Sequence, residues 1–86
     1  MVDYNTLNRL KEVGKFLKMS NGYYTFLLKN EEKIIFEEIS KRALSKFNLD
    51  SKEFIDRSFK IVYAEILEDF EDDDYIISRI EDLNLI

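Results

Sequence analysis

The side chains with the most obvious potential for chemistry are carboxylates crowded into residues 65–74, where seven of ten positions are acidic. Two neighbouring carboxylates can act as general acid and general base, but only in a cleft that separates their pKa values. Nothing in the sequence predicts such a cleft. A calcium loop beginning at Asp69 would need glycine at its sixth position and glutamate at its twelfth, where this chain has Asp74 and Ile80. We therefore predict neither a carboxylate active site nor a dedicated calcium site.

The chain also lacks residues that most other active sites use. It has no histidine, the commonest general base, and no cysteine for a disulfide or a thiolate metal site. Two glycines are too few for a glycine-rich phosphate-binding loop. A serine nucleophile would need a neighbouring base that no motif supplies. We predict that the protein is not an enzyme and that it holds no cofactor and no metal.

Charge is distributed very unevenly along the chain. Residues 65–86 carry nine acidic side chains and one basic side chain, whereas residues 1–64 carry twelve basic and nine acidic ones. Such an asymmetry says more about partners than about the fold. The main functional prediction is a small interaction or regulatory module that docks a basic partner protein through its acidic C-terminal part. The predicted contact residues are Glu68, Glu71, Asp72, Asp73 and Asp74. The alternative is that these carboxylates are only a solvated surface.

Three lysines support a different function. Lys11, Lys15 and Lys18 are spaced by four and three residues, which places them on one face of a helix. Clustered positive charge binds the phosphates of nucleic acids, and Tyr23 and Tyr24 could stack on bases. The alternative function is therefore a small nucleic-acid-binding regulator, although a net charge of −5 opposes binding to a polyanion. The acidic tail could also fold over these lysines and mask them.

The elements that would position these residues are predicted to be helices. The chain has no proline and only two glycines, which permits long helices. Apolar residues recur at helical spacing in the longest of them: Ile55, Phe59, Val62, Tyr63, Ile66 and Phe70. Continuing that helix would put Asp73 in the apolar stripe, so the acidic run should form a corner between two helices. We predict an all-α bundle of three to four helices, over about residues 4–19, 31–47, 51–72 and 75–84.

One segment also permits strands. Residues 23–28 are rich in strand-favouring types and could pair with residues 33–37 across a turn at 29–32. A hairpin over 23–37 would make the fold α+β, and we keep it as the alternative to a helix. Just before this segment, Asn21 or Gly22 is expected to end the first element in the left-handed conformation.

Two apolar residues suggest self-association. Phe54 and Ile61 lie seven residues apart and off the main stripe of the predicted long helix. A second copy could cover them, because so short a chain has little core of its own. A homodimer is therefore a possible assembly, and burial by other helices of the same chain is the alternative.

Length and composition predict one small domain covering residues 1–86. The lack of cysteine indicates a reducing, cytoplasmic location. No apolar stretch approaches the length of a membrane span or of a signal peptide's apolar core, so no membrane association is expected.

Overall fold

The protein is built mainly from β-strands. The computed structural model describes residues 6–70 and 73–86, with side chains except at 69, 70, 73 and 74. In chain order the elements are β1 (Thr6–Ser20), β2 (Tyr23–Leu28), β3 (Lys33–Phe36), β4 (Glu38–Ile39), α1 (Lys41–Lys46), a short 3-10 helix (Lys52–Phe54), β5 (Ser58–Phe70) and β6 (Asp73–Leu85).

The predicted all-α bundle is wrong. The described parts of 4–19 and 75–84 belong to β1 and β6, and those of 51–72 contain the 3-10 helix and the whole of a long strand, β5. Of residues 31–47, only the six residues of α1, Lys41–Lys46, are helical. The hairpin that the sequence allowed over 23–37 is present, because β2 and β3 pair antiparallel.

Strands form because burial alternates from one residue to the next. In β5, Phe59, Ile61 and Tyr63 are buried, whereas Lys60 is exposed and Val62 only half-buried. This is the two-residue period of a strand with one face against a core. Aromatic and β-branched side chains also pack well on a pleated surface. The helical spacing noted in this stretch is real, but it includes only some of the residues that are buried.

The strands form one sheet in the order β3-β2-β1-β5-β6-β4. Neighbours are antiparallel except β4 and β6, which are parallel. Only Glu37 separates β3 from β4, although these strands lie at opposite ends of the sheet order. Glu37 N–H donates a hydrogen bond to the carbonyl of Ser78 in β6 at 3.0 Å. The sheet is therefore curled into a partly open barrel whose two ends meet at this residue.

Strand β1 belongs to both halves of the barrel. It pairs with β5 as far as Lys15 and with β2 from Gly14 onward. A Cβ atom at Gly14 would lie 3.1 Å from Ile61 Cδ1 and 3.3 Å from the Leu27 carbonyl oxygen. A side chain would therefore crowd the point at which β1 changes partner, which explains the glycine.

The barrel is filled with aromatic rings. Phe26 packs against Phe16, Phe36 and Phe59, with ring centroids 5.2 to 6.1 Å apart. Phe47 and Phe54 come from the segment around α1 and the 3-10 helix, and both pack against Phe59. This segment therefore closes one end of the barrel. Tilted and edge-on ring contacts of this kind add to the stabilisation from apolar burial.

The acidic run lies at the end of the β5–β6 hairpin. Within the described residues, β1 pairs with β5 no further than Thr6 opposite Ile66, whereas β5 and β6 remain paired to Phe70 opposite Asp73. The hairpin thus extends past the described end of β1. The predicted corner between two helices is wrong, and the acidic run joins two strands instead.

Candidate nucleic-acid interface

The three lysines predicted to share a helix face share the outer face of a strand instead. Lys11 and Lys15 are four residues apart in β1 and point outward, opposite in direction to the buried Phe16. Lys18 would point inward in a regular strand. A register shift between Phe16 and Lys18 makes Leu17 an extra residue, and Lys18 is exposed as well. A β-bulge at Leu17 therefore brings Lys18 to the same face as Lys11 and Lys15, an arrangement that was predicted to result from a helix.

The sheet adds three more lysines to this face. Lys60 lies opposite Val13 across the β1–β5 pairing. Lys33 lies in one row with Lys15, because both pair with Leu27 from opposite sides. Lys29 follows β2 at the turn. All six lysines are exposed, and none forms an ion pair with a residue that the structure describes.

Four of these lysines surround two depressions in the outer face. The larger has a volume of about 590 Å³, and its lining includes Lys11, Lys29 and Lys60. The smaller, of about 260 Å³, is lined by Lys15 and shares Val13 and Lys29 with the larger. The half-buried side chains of Val13, Val62 and Leu27 supply apolar surface. We call the two connected depressions with their four lysines the lysine groove.

Two carboxylates reduce the positive charge of the groove without cancelling it. Glu31 is exposed and lines the smaller depression, whereas Glu12 borders the larger one from a β1 position whose side chain points to the opposite face from Lys11 and Val13. Glu12 also acts on the inner side of β1. Burial raises the pKa of the Tyr63 hydroxyl, and the negative charges of Glu12 and Glu65 raise it further. Four ammonium groups against two carboxylates leave the groove cationic.

A third nearby carboxylate is already neutralised. Asp82 pairs with Val62 in the sheet, and its Oδ1 accepts a hydrogen bond from Lys46 Nζ at 2.8 Å. That hydrogen bond is the main cause of a lowered pKa for Asp82, and the Leu83 N–H and the Arg42 charge act in the same direction. Asp82 therefore forms its ion pairs with Lys46 and Arg42 and not with the lysines of the groove.

The predicted acidic contact surface is described only in part. Glu68 lines a cleft of about 330 Å³ together with Tyr23, Tyr75, Glu37 and Glu38. Both tyrosines are 50% exposed. Glu71 and Asp72 lie outside the described residues, and Asp73 and Asp74 are described as backbone only. Docking through these five carboxylates stays a prediction. No local pattern predicts that two tyrosines flank Glu68, because the folding of the sheet brings them together.

The pair predicted to promote self-association lies inside the barrel. Ile61 is fully buried, and Phe54 is half-buried with its ring centroid 5.5 Å from that of Phe47. The two side chains therefore do not form the exposed apolar face on which the homodimer prediction was based. Self-association itself stays a prediction.

Comparison with known proteins adds no information about function. No family model matches the chain, and no curated protein or solved structure matches it significantly.

In the part of the chain that the structure describes, no three acidic side chains are grouped so that they could hold a metal ion. None of the described helices is long and apolar enough to cross a bilayer.

Proposed function

We propose that the protein binds nucleic acid through the lysine groove. The observation that carries the proposal is the arrangement of four exposed lysines around the two adjoining depressions: Lys11, Lys15, Lys29 and Lys60. None of these lysines has an ion-pair partner among the described residues. Lysines that are free of internal partners can neutralise phosphates and release condensed counterions, which is the main source of sequence-independent affinity.

The net charge of −5 does not prevent such binding. Strand β1 begins at Thr6, five residues from Lys11, or about 17 Å along a strand. Glu68 lies further along the β5–β6 hairpin, beyond Ile66, the partner of Thr6. Glu65 is nearer, opposite Asn8, and accepts a hydrogen bond from Asn8 Nδ2 at 3.2 Å. The Debye length is about 10 Å at 0.1 M salt, so the acidic hairpin is largely screened from the groove.

The architecture is compatible with this function but does not carry it. If β3 and β4 count as one bent strand, the sheet is a partly open barrel of five strands in which β5 returns beside β1, as in a Greek key. OB-folds have that architecture, and many of them bind oligonucleotides on the face of their second and third strands, whereas the lysine groove lies on β1 and β5. Since folds of one class have many functions, the proposal rests on the groove lysines and not on this likeness.

The test compares two double variants that remove equal charge. Lys15→Gln/Lys60→Gln changes the groove, whereas Lys41→Gln/Lys52→Gln changes two exposed lysines outside it. Binding of a labelled oligothymidylate is followed by fluorescence anisotropy from about 50 to about 200 mM salt. The groove variant should bind about tenfold more weakly and lower the salt slope by about 1.4, or about 0.7 for each lysine removed from a single-strand site. Equal losses in the two variants, or no binding of wild type at low salt, would contradict the proposal.

A second candidate function is docking of a basic protein segment at the acidic hairpin. The observation that favours it is the cleft of Glu37, Glu38 and Glu68, which lies between the half-exposed Tyr23 and Tyr75. Carboxylates and aromatic faces both attract lysine and arginine side chains. An oligolysine peptide should bind wild type and lose affinity with Glu68→Gln/Tyr75→Leu but not with the groove variant. We place either activity in the cytoplasm, as the sequence predicts.

A further inference from the structure

The larger depression of the lysine groove has more room and more apolar surface than phosphate binding requires. Its volume is about 590 Å³, which is enough room for a single planar ring to lie in the depression with one side open to solvent. Val13 and Val62 are half-buried and contribute apolar side chains to it. Contact with valine methyl groups does not stabilise a bound phosphate, whereas it does stabilise an unpaired base, because the face of the base is apolar.

The register of β1 and β5 arranges charge and apolar surface in a definite pattern. Lys11 pairs with Val62, and Val13 pairs with Lys60. Directly opposed residues on one face of an antiparallel pair have Cβ atoms about 5 Å apart. Each valine therefore has an ammonium-bearing side chain beside it, and the two lysines lie at opposite corners of this four-residue group. Lys29 borders the same depression from the turn after β2.

The depression also contains a hydrogen-bonding group that suits the edge of a base. Asn84 is the sheet partner of Lys60, and its Oδ1 accepts a hydrogen bond from Lys46 Nζ at 3.1 Å. Its amide NH₂ group is then the donor that it can offer to a ligand. A planar ring with a hydrogen-bond acceptor on its edge can receive this donor, in addition to contacting the valine side chains.

We infer that this depression holds one unstacked nucleobase of a single strand, with the adjoining phosphates on Lys11 and Lys60. The inference rests on the proposed function and specifies its substrate class. Bases in a duplex are stacked and paired, so their faces cannot reach Val13 and Val62. The protein accordingly prefers single-stranded over double-stranded nucleic acid, and it prefers a strand with bases over one without them.

The test uses three labelled probes of equal length: an oligothymidylate, an abasic deoxyribose-phosphate strand with the same number of phosphates, and a duplex. Wild type should bind the oligothymidylate about fivefold more tightly than the abasic strand, a smaller factor than stacking on an aromatic ring can give, because valine side chains supply only apolar contact. Val13→Thr/Val62→Thr keeps side-chain size and should remove most of that difference without changing affinity for the abasic strand. Ile35→Thr, at an exposed outer position on β3, is the matched control and should retain the difference.

The outcomes separate this inference from the proposed function. If thymidylate and abasic strands bind equally and both weaken in Lys15→Gln/Lys60→Gln, phosphate binding stands and the base pocket is refuted. A duplex that binds as tightly as the single strand refutes it as well. If wild type binds no probe at low salt, the proposed function fails and the base pocket fails with it. Thermal unfolding of each threonine variant shows whether a loss of binding reflects loss of the fold.

Discussion

The two faces of one pair of strands, β1 and β5, differ sharply in burial and charge. On the inner face, Phe16, Phe59 and Ile61 are at most 1% exposed. On the outer face, Lys15 and Lys60 are exposed and without described ion-pair partners. Because neighbouring side chains of a strand point to opposite faces, residues adjacent in sequence have unrelated tasks. Stability depends on one set of alternate positions, and the proposed binding depends on the other.

This separation makes the molecule easy to test. Substitutions on the outer face change charge without disturbing the aromatic core, and exposed positions usually tolerate substitution within about 0.5 kcal/mol. Substitutions on the inner face should act through the free energy of unfolding. Three changes, taken in decreasing order of expected effect on stability, examine how strictly the two faces are separated.

The largest effect is expected from Phe59→Ala. The ring of Phe59 packs against Phe26, Phe47 and Phe54, so its removal leaves a cavity between the barrel and the segment that closes its end. The free energy of unfolding should fall by about 3–5 kcal/mol, measured by urea denaturation. The adjacent outer-face change Lys60→Gln should alter it by less than about 0.5 kcal/mol. Similar losses from both substitutions would contradict the separation.

The same pair of faces explains why the fold prediction from sequence was wrong. Phe59, Val62 and Ile66 have helical spacing, but Phe59, Ile61 and Tyr63 have strand spacing, and the two patterns overlap. Ile61 distinguishes them. On a helix it lies off the apolar stripe, which led to its assignment to a dimer face, whereas in the strand it is fully buried. Local spacing cannot decide between the patterns, because the partner strands β1 and β6 supply the burial that favours the strand.

Some local features were predicted correctly although the fold class was wrong. Asn21 and Gly22 have φ values of 54° and 80°, so the expected left-handed residues are present. Their setting was misread, since an Asn-Gly pair between apolar segments is also a strong signal for a tight hairpin. The shared face of Lys11, Lys15 and Lys18 was predicted for a helix and arises in a strand through the bulge at Leu17.

The rest of the lysine groove depends on long-range pairing. Lys29 and Lys60 come close to Lys11 and Lys15 only through the registers of the β1–β2 and β1–β5 pairs. Register is set by packing of the whole inner face and by the turns, so no local pattern in the sequence specifies it. The cleft of Tyr23 and Tyr75 was missed for the same reason.

A smaller effect is expected from Gly14→Ala, an inner-face change next to the groove. The new Cβ would lie 3.1 Å from Ile61 Cδ1, 3.2 Å from Leu28 Cδ2 and 3.3 Å from the Leu27 carbonyl oxygen. The two side chains can shift, but the carbonyl belongs to a paired strand. We expect a loss of about 1–2 kcal/mol in the free energy of unfolding, as is typical of overpacking. Lys15→Ala at the adjacent outer position is the control, and equal stability of Gly14→Ala and wild type would show that this contact relaxes freely.

The smallest effect concerns an outer-face position that should nevertheless contribute to stability. Asp82 accepts hydrogen bonds from Lys46 Nζ at 2.8 Å and from Leu83 N–H at 3.0 Å, and its side chain is only 20% exposed. Asp82→Asn should lower the free energy of unfolding by about 1 kcal/mol at pH 7, since a partly exposed ion pair contributes little more than that. A change near zero in the free energy of unfolding would instead mean that this outer-face position does not contribute to stability.

The pH dependence of Asp82→Asn identifies the cause of that effect. The pKa of Asp82 is lowered from its ordinary value of 3.8, mainly by the Lys46 hydrogen bond. A lowered pKa in the folded state means that the carboxylate stabilises the protein above pH 3.8 and loses this contribution as pH falls through the lowered value. The stability difference between wild type and Asp82→Asn should therefore be constant near neutral pH and shrink in acid. In a Lys46→Met background the substitution should have little effect at either pH, because the hydrogen bond that lowers the pKa is gone. If the difference persists unchanged in acid, Asp82 acts through packing and not through its charge, because the Leu83 N–H also lowers the pKa of the carboxylate and its contribution would shrink in acid as well.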